Sequence, residues 1–497
     1  MRTRKLKDIE KQRRKELMKE QKRREREAIK QKKARNREYS FVSYFFVLIF
    51  VSLIGYVIYY NGMKSEEFIN SPYNTRQDTF SDRVIRGQIQ SSDGEVLART
   101  DVYEDGTEDR VYPYSNIFAH VVGYESNGKS GLESEANFQL LTSHAFFLEQ
   151  MKNEFKGEKN MGDTVISTLN ANLQVTAYNA LGDRRGAVVA MEPSTGRVLT
   201  MVSKPDFDPN TIADNWEWLV NDENDSSLLN RATNGAYPPG STFKIVTALD
   251  YFRNKGSFEG YSYLCQGSIT LEDHTIRCYN GTVHGQENFY SAFASSCNCA
   301  FAEMGTELGG SSLRDTAEDL LFNKKLPLDS YRKSSFSLDG KSVTPLIMQT
   351  AIGQGNTLVS PMHMALITSA VANGGVLMKP YLIDQVVNNS GELVKKTEAS
   401  SYKRLMTTNE ANLLGKLMKD VVDYGTATAL SGRGYTAAGK TGSAEFDEQG
   451  SSHAWFVGYS NIDDPDLVVA VIVENGGSGS ESAVPIAGQL FDAYYYN

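Results

Sequence analysis

The sequence predicts an α+β protein: an antiparallel sheet flanked by helices, preceded by a single N-terminal transmembrane helix and a small α+β module. Three observations carry this. Residues 41–60 hold no charge. The rest of the chain runs from β-rich segments through a long helical stretch and back to β-rich segments, so one sheet must draw on both ends of it. Charge is also divided: residues 1–40 contain 18 Lys and Arg against 7 Asp and Glu, a net of +11, which leaves −20 for the remainder of a chain totalling −9. A basic arm and an acidic body are different objects.

The arm, residues 1–40, is nearly free of apolar residues and reads as a solvated helix or a disordered segment. FVSYFFVLIFVSLIGYVIYY follows. Twenty helical residues reach about 30 Å, the thickness of a bilayer core. The run exceeds the apolar core of a signal peptide, and YYNGMKSEEF offers no small-residue cleavage site, so it reads as a retained anchor. The basic flank places the arm in the cytoplasm and the body outside. Anionic lipid then explains the arm better than nucleic acid does.

Residues 62–160 are polar with short apolar runs, as in a small membrane-proximal module with strands and a helix near 131–153. Within it GYESNGKS matches a phosphate-cradling loop, G-x-x-x-x-G-K-[ST]. Two arguments weigh against nucleotide binding: the external side lacks cytosolic nucleotide, and no alternation of strands and helices supplies a parallel sheet. The glycines are expected to shape a turn into that helix, with Lys129 at the surface.

Residues 161–497 form the main domain. A helix at about 171–182 leads into GAVVAMEPSTGRVLTMVS, two strands about a turn. Helical periodicity dominates 241–425. YTAAGKTGSAEF, HAWFVGYS and LVVAVIVEN then read as an antiparallel meander, closed by a helix in ESAVPIAGQLFDAYYY. Cys265, Cys278, Cys297 and Cys299 fall within 35 residues. A Cys265–Cys278 disulfide is open to an external domain. With His274 and His284 the spacing is C-x₈-H-x₃-C-x₅-H, which is not that of a zinc ribbon, and the expectation is no metal and no cofactor.

Chemistry concentrates at AYPPGSTFK. Pro238-Pro239-Gly240 breaks the chain and Ser241 opens a helical run, where a serine is by default a cap. Lys244 falls one turn later on the same face. A lysine whose pKa is lowered by burial can take a proton from such a serine, and the helix N-terminus favours an oxyanion. Ser-x-x-Lys alone is weak, since it recurs at Ser126–Lys129, Ser330–Lys333 and Ser400–Lys403. Two further elements sharpen it. Ser296-Cys297-Asn298 puts a hydroxyl and an amide in a polar break between helical runs. Lys440-Thr441-Gly442-Ser443 sets a cation and two hydroxyls along a strand edge, with Gly442 leaving room for a peptide backbone.

In this order the three elements resemble the active-site signature of penicillin-binding proteins and serine β-lactamases. Together with AIGQGNTLVSP and HAWFVGY they make the chain similar to class B penicillin-binding proteins, monofunctional peptidoglycan D,D-transpeptidases, of the shorter type. The resemblance implies that Ser241 is acylated and that Lys244 takes its proton. Ser296 would relay a proton to the leaving amine, while Asn298 holds Lys244 and the substrate amide. It gives Lys440 the local potential, and Thr441 and Ser443 the terminal carboxylate of a D-Ala-D-Ala stem peptide, with the Ser241 and Ser443 N–H groups as oxyanion hole. β-Lactams would be ligands too. Since 62–160 is too short for a glycosyltransferase domain, a separate integral-membrane glycan polymerase is the expected partner.

Two other readings belong beside it. A membrane-anchored serine β-lactamase would share the acyl-enzyme, against which stand the anchor, the extra module and Asn298. A non-catalytic division scaffold or β-lactam sensor would keep the fold, against which stands the intact residue set.

Overall fold

The computed structural model of the chain describes residues 2–63, 83–222, 224–445 and 451–496. SPYNTR at 71–76 and the DEQG portion of the expected turn, 447–450, lie outside them. The chain divides into two units, residues 1–74 and 75–497. In the first, Arg2–Met63 is one continuous helix. Pairs four residues apart, Arg24 with Glu20 and Arg23 with Glu27, support its polar half. Within Ile9–Tyr60 an 18-residue window reaches a mean hydropathy of 2.5 with none of it buried, which fits a membrane anchor.

In the second unit a five-stranded antiparallel sheet runs in the order Ala437–Glu445, Ser452–Ser460, Val468–Val473, Gly186–Met191, Val198–Lys204. The terminal meander therefore joins the earlier hairpin through Val468–Val473 and Gly186–Met191, with Val471 opposite Val188. Both segments are small or β-branched and wholly buried, so each face needs a cover. Pro361–Ala372 packs on one side, with Pro361 in its first turn and Ser360 capping the His363 N–H. Gly479–Tyr496 and Ala171–Leu181 pack together on the other. The expected strands, the helix after Asn170 and the closing helix are all present.

A second sheet departs from expectation. Its order is Leu393–Lys396, Ile383–Val387, Thr164–Ser167, Ile89–Gln90, Val96–Val102, Glu108–Val111. The membrane-proximal module is thus completed by strands from the stretch read as helical. The same stretch holds the hairpin Ser268–Leu271/His274–Arg277 and the pair Ser262–Cys265/Gly285–Asn288. These strands are four or five residues long and none is wholly buried, and so short a run carries no periodicity to set against helix.

The helix expected at 131–153 is three: Gly131–Glu135, Asn137–Leu140 and Phe147–Lys156. The break is pinned by Asp163, which accepts the His144 N–H at 3.0 Å and lies 2.5 Å from its ring Nδ1. Glu133, fully buried, accepts from Arg86 Nε at 2.7 Å and from Arg110 Nε at 2.8 Å. The GYESNGKS loop folds back on itself. A Cβ on Gly123 would lie 2.0 Å from Ser130 O, and the Ser130 N–H donates to Tyr124 O. The loop turns into Gly131–Glu135, and Lys129 near its end is partly exposed.

Candidate active site

Ser241 sits in a single 3₁₀ turn, Gly240–Phe243, that runs directly into the helix Lys244–Lys255. Two other backbones set that turn. The Gly240 N–H donates to Gly353 O at 2.9 Å, and Trp455 Nε1 donates to Pro238 O at 3.0 Å. Just upstream, Tyr237 pairs with Val359 in both directions, and its hydroxyl donates to Glu474 Oε1 at 2.7 Å. Glu474 also accepts from Arg231 and Arg185. Burial alone would raise the Glu474 carboxyl, but Tyr237 and the arginines outweigh it and hold it ionised.

Lys244, fully buried, directs Nζ to Ser296 O at 2.7 Å, Ser296 Oγ at 3.1 Å and Asn298 Oδ1 at 2.8 Å. Those three acceptors satisfy the three protons of an ammonium. Ser241 Oγ is half-buried and makes no hydrogen bond among the described residues. The two residues lie three apart where the turn runs into the helix, yet no hydrogen bond joins the lysine to the hydroxyl among the described residues. Burial lowers the Lys244 pKa to about 8, the nearby cysteines opposing it weakly. Lys440, also fully buried, donates to Ser296 Oγ at 2.9 Å and Thr441 O at 3.1 Å. Burial, and then the charge of Lys244, push it well below the usual lysine value. Phe293 lies under its Nζ at 5.6 Å.

Ser296 and Asn298 occupy the turn between Phe289–Ala294 and Asn298–Asp319, the inter-helix break expected from sequence. Ser296 is left-handed at φ 59°, uncommon for a non-glycine residue and held here by two lysines. Asn298 Nδ2 donates to Arg277 O at 2.9 Å, which fixes the amide so that its oxygen faces Lys244.

Ala437–Glu445 is the edge strand beside Ser241, and no strand pairs with its outer side among the described residues. Ser443 is half-buried on it and accepts from the Gly479 N–H at 3.4 Å. Thr441 is buried, its hydroxyl paired with that of Thr426. Gly442 has a packing role beside the one read from sequence. A Cβ there would sit 3.1–3.2 Å from Trp455 Cβ, Pro239 O and Thr242 Cγ2, so the missing side chain lets the strand press against the Ser241 turn from behind. Gln354 secures the far end of the strand. With its amide oriented to satisfy both groups, it accepts from Glu445 N and donates to Glu445 O, each at 3.0 Å.

The eight residues singled out from sequence thus lie on the Ser241 turn and its helix, the Ser296–Asn298 turn and the neighbouring edge strand. Sequence reasoning missed the supports: Glu474, Arg231, Gly353, Gln354 and Trp455. The only signal was that Gly353, Gln354 and Trp455 lie inside the segments that carried the resemblance. The four cysteines are free thiols, and Cys265 and Cys278 Sγ stand 3.7 Å apart, so the disulfide left open above is not formed.

A buried lysine pair around a second hydroxyl, an unengaged serine at a helix start and an open strand edge suit acyl transfer from a peptide carbonyl. Comparison with known proteins agrees. Residues 186–492 match the penicillin binding protein transpeptidase domain, and 86–165 match the penicillin binding protein A dimerisation domain. The peptidoglycan D,D-transpeptidase PbpA of Mycolicibacterium smegmatis is 32% identical over 435 residues, covering 81% of this chain and 87% of the relative. Penicillin-binding protein A from M. tuberculosis, solved as a ceftriaxone acyl-enzyme, superposes with a TM-score of 0.77 at 28% identity, over 84% of this chain and 100% of that one. The D,D-transpeptidase domain of a peptidoglycan glycosyltransferase from Eggerthella lenta gives 0.75 at 31% identity, over 83% and 98%. This chain belongs to the class B penicillin-binding proteins.

Proposed function

We propose that the chain is a peptidoglycan D,D-transpeptidase that cross-links stem peptides through an acyl-enzyme on Ser241, and that β-lactams acylate the same serine. The observation that carries it is the meeting of Lys244, Lys440 and Asn298 at Ser296 beside Ser241. A stem peptide adds to the outer side of Ala437–Glu445 as an extra strand, its terminal carboxylate at Ser443 and the mouth of Lys440. Once Lys244 has lost a proton, its lone pair receives the Ser241 proton as Oγ attacks the carbonyl of the penultimate D-Ala. The Ser241 and Ser443 N–H groups receive the oxyanion. On collapse the peptide C–N bond breaks, and Ser296 passes a proton from Lys244 to the departing D-Ala amine. An amine from a neighbouring stem then attacks the ester and gives its proton to Lys244, which passes it to Ser241 Oγ as the ester C–O bond breaks. In a β-lactam the broken bond is the ring amide, so the leaving amine stays tethered and blocks the second half.

The N-terminal arm lies in the cytoplasm and the catalytic unit outside, on the charge asymmetry about 41–60. The glycan strands come from an integral-membrane polymerase that pairs with residues 41–160. The test is labelling of the detergent-solubilised chain with fluorescent penicillin and mass spectrometry of the adduct. One adduct per chain, on Ser241, is expected and must vanish in Ser241→Ala with the circular dichroism unchanged. Rapid repeated hydrolysis without a lasting adduct would assign a β-lactamase instead.

A further inference from the structure

The helix Phe147–Lys156 of the membrane-proximal module is built inside out. Glu149, Gln150 and Asn153 fall on one side and are half-buried, while Leu148, Met151 and Phe155 fall on the opposite side and are exposed. A helix docked on a domain normally buries its apolar stripe. Here the polar side makes the attachment. Gln150 Nε2 donates to Ser143 O at 3.1 Å and Ala145 O at 3.0 Å, and Asn153 Nδ2 donates to Asn160 Oδ1 at 3.0 Å. The apolar side is left out: Phe155 is 85% exposed, Leu148 63% and Met151 37%, and Phe146 at the N-cap adds 67%. Large apolar side chains grouped in this way mark a surface that binds something.

What covers it follows from where the chain comes from. The N-terminal helix ends at Met63, and the first strand of the module is Val84–Ile85. That strand pairs in parallel with Asn160–Met161, and the Asn160 N–H donates to Arg83 O at 3.3 Å. Only Gly157, Glu158 and Lys159 separate the helix from Asn160. The inverted helix therefore stands where the chain arriving from the anchor enters the module. Nineteen residues, 64–82, join the two, and a chain of that length spans at most about 65 Å. The covalent link thus keeps a bilayer surface within that distance of Arg83.

We infer that the apolar face of Phe147–Lys156 lies in the lipid interface of the membrane that holds residues 41–60, an inference that rests on the anchor reading of that segment. The face suits lipid better than protein. Four side chains offer well under the roughly 800 Å² per partner of a stable protein interface, whereas lipid needs no matching surface. Phe155 and Leu148 reach the acyl boundary as the apolar residues of an interfacial helix do. Lys152 and Lys156 border the stripe on one side, where their stems lie along it and their ammonium groups meet phosphates. From Phe146 to Lys159 three lysines offset three glutamates. Apolar burial, not attraction to anionic lipid, therefore supplies the contact. A single anchor fixes the chain at one point, and this second contact sets which side of the module faces the bilayer.

The full-length chain in nanodiscs doped with a phospholipid that carries a diazirine on its acyl chain tests this. After irradiation and digestion, mass spectrometry should find lipid adducts in 41–60 and again in 146–156. The double variant Leu148→Gln, Phe155→Gln should cut the second set at least fivefold and leave the first unchanged. Both side chains are exposed, so its melting temperature and its acylation by penicillin in detergent should match the wild type. Replacing phosphatidylglycerol by phosphatidylcholine should leave the adducts in 146–156 in place. Adducts in 41–60 with none in 146–156, or a yield there that the double variant does not lower, overturn the proposal. Cross-linking of Lys152 to a second chain in place of lipid adducts assigns the face to self-association and overturns it as well. Absence of adducts from both segments fails the anchor reading, and the proposal with it.

Discussion

Lys244 and Lys440 share one hydroxyl: their Nζ atoms stand 3.1 and 2.9 Å from Ser296 Oγ, and both side chains are fully buried. Two ammonium ions at that range repel strongly where water cannot screen them. The pair therefore titrates as a unit that gives up a proton well below the usual lysine range. Such a site holds a base and a cation at once, which is what proton removal beside a developing oxyanion requires.

The pH dependence of acylation follows from Lys244. With its pKa lowered to about 8, roughly a tenth is neutral at pH 7 and most is neutral by pH 9. The second-order rate of Ser241 acylation by penicillin should rise roughly tenfold over that interval, with its midpoint near 8. A flat profile from pH 6.5 to 9.5 would remove Lys244 from the proton-accepting role. Stability carries the matching sign. Folding disfavours the charged form, so the penalty is present below about pH 8 and is relieved as pH rises from there towards 10.5.

Gly353 governs the nucleophile from outside the three catalytic elements. Its φ is +80°, and a Cβ would come 1.9 Å from Gly240 O, the residue before Ser241. Gly353→Ala must displace that turn and should reduce acylation at least tenfold. Gly94→Ala is the control: its φ is +90°, but nothing lies within 4 Å of a Cβ. That change should cost about 1 kcal/mol of stability and leave acylation alone. Equal effects of the two on the acylation rate would refute the contact argument.

Glu133 tests the membrane-proximal sheet. Burial alone would raise its carboxyl, yet Arg110 and Arg86 outweigh burial and hold its pKa below the ordinary value. The resulting stability is present above the unfolded carboxyl pKa and is lost as pH falls through the lower folded value. Glu133→Gln leaves two arginines uncompensated and should cost about 3 kcal/mol. Calorimetry should show melting lowered by about 3 °C, with the acid dependence of the wild type reduced. An unchanged melting temperature would show that the triad contributes nothing net.

The sequence by itself determined the apolar N-terminal helix, the five strands of the main sheet and the family signature that singles out eight candidate residues. Those are long, strongly patterned or chemically distinctive segments whose identity survives without neighbours. VVAVIV can hardly be anything but a buried strand, and a proline pair before Ser241 ends one element and starts another. Tertiary structure alone decided the rest, because it depends on distance between residues far apart in the chain. The strands Ile383–Val387 and Leu393–Lys396 became legible only when Thr164–Ser167 offered a partner. Lys244 was read as the neighbour of Ser241, but the fold spends its three donors on Ser296 and Asn298. Gly442 was read as room for substrate, and only the packing shows that the missing side chain also admits Trp455 and Pro239. The cysteine cluster shows the limit most plainly. Three thiols and an imidazole are ordinary residues at unremarkable spacings until a hairpin and the turn at Cys297 bring their ligand atoms within 4.8 Å of one another.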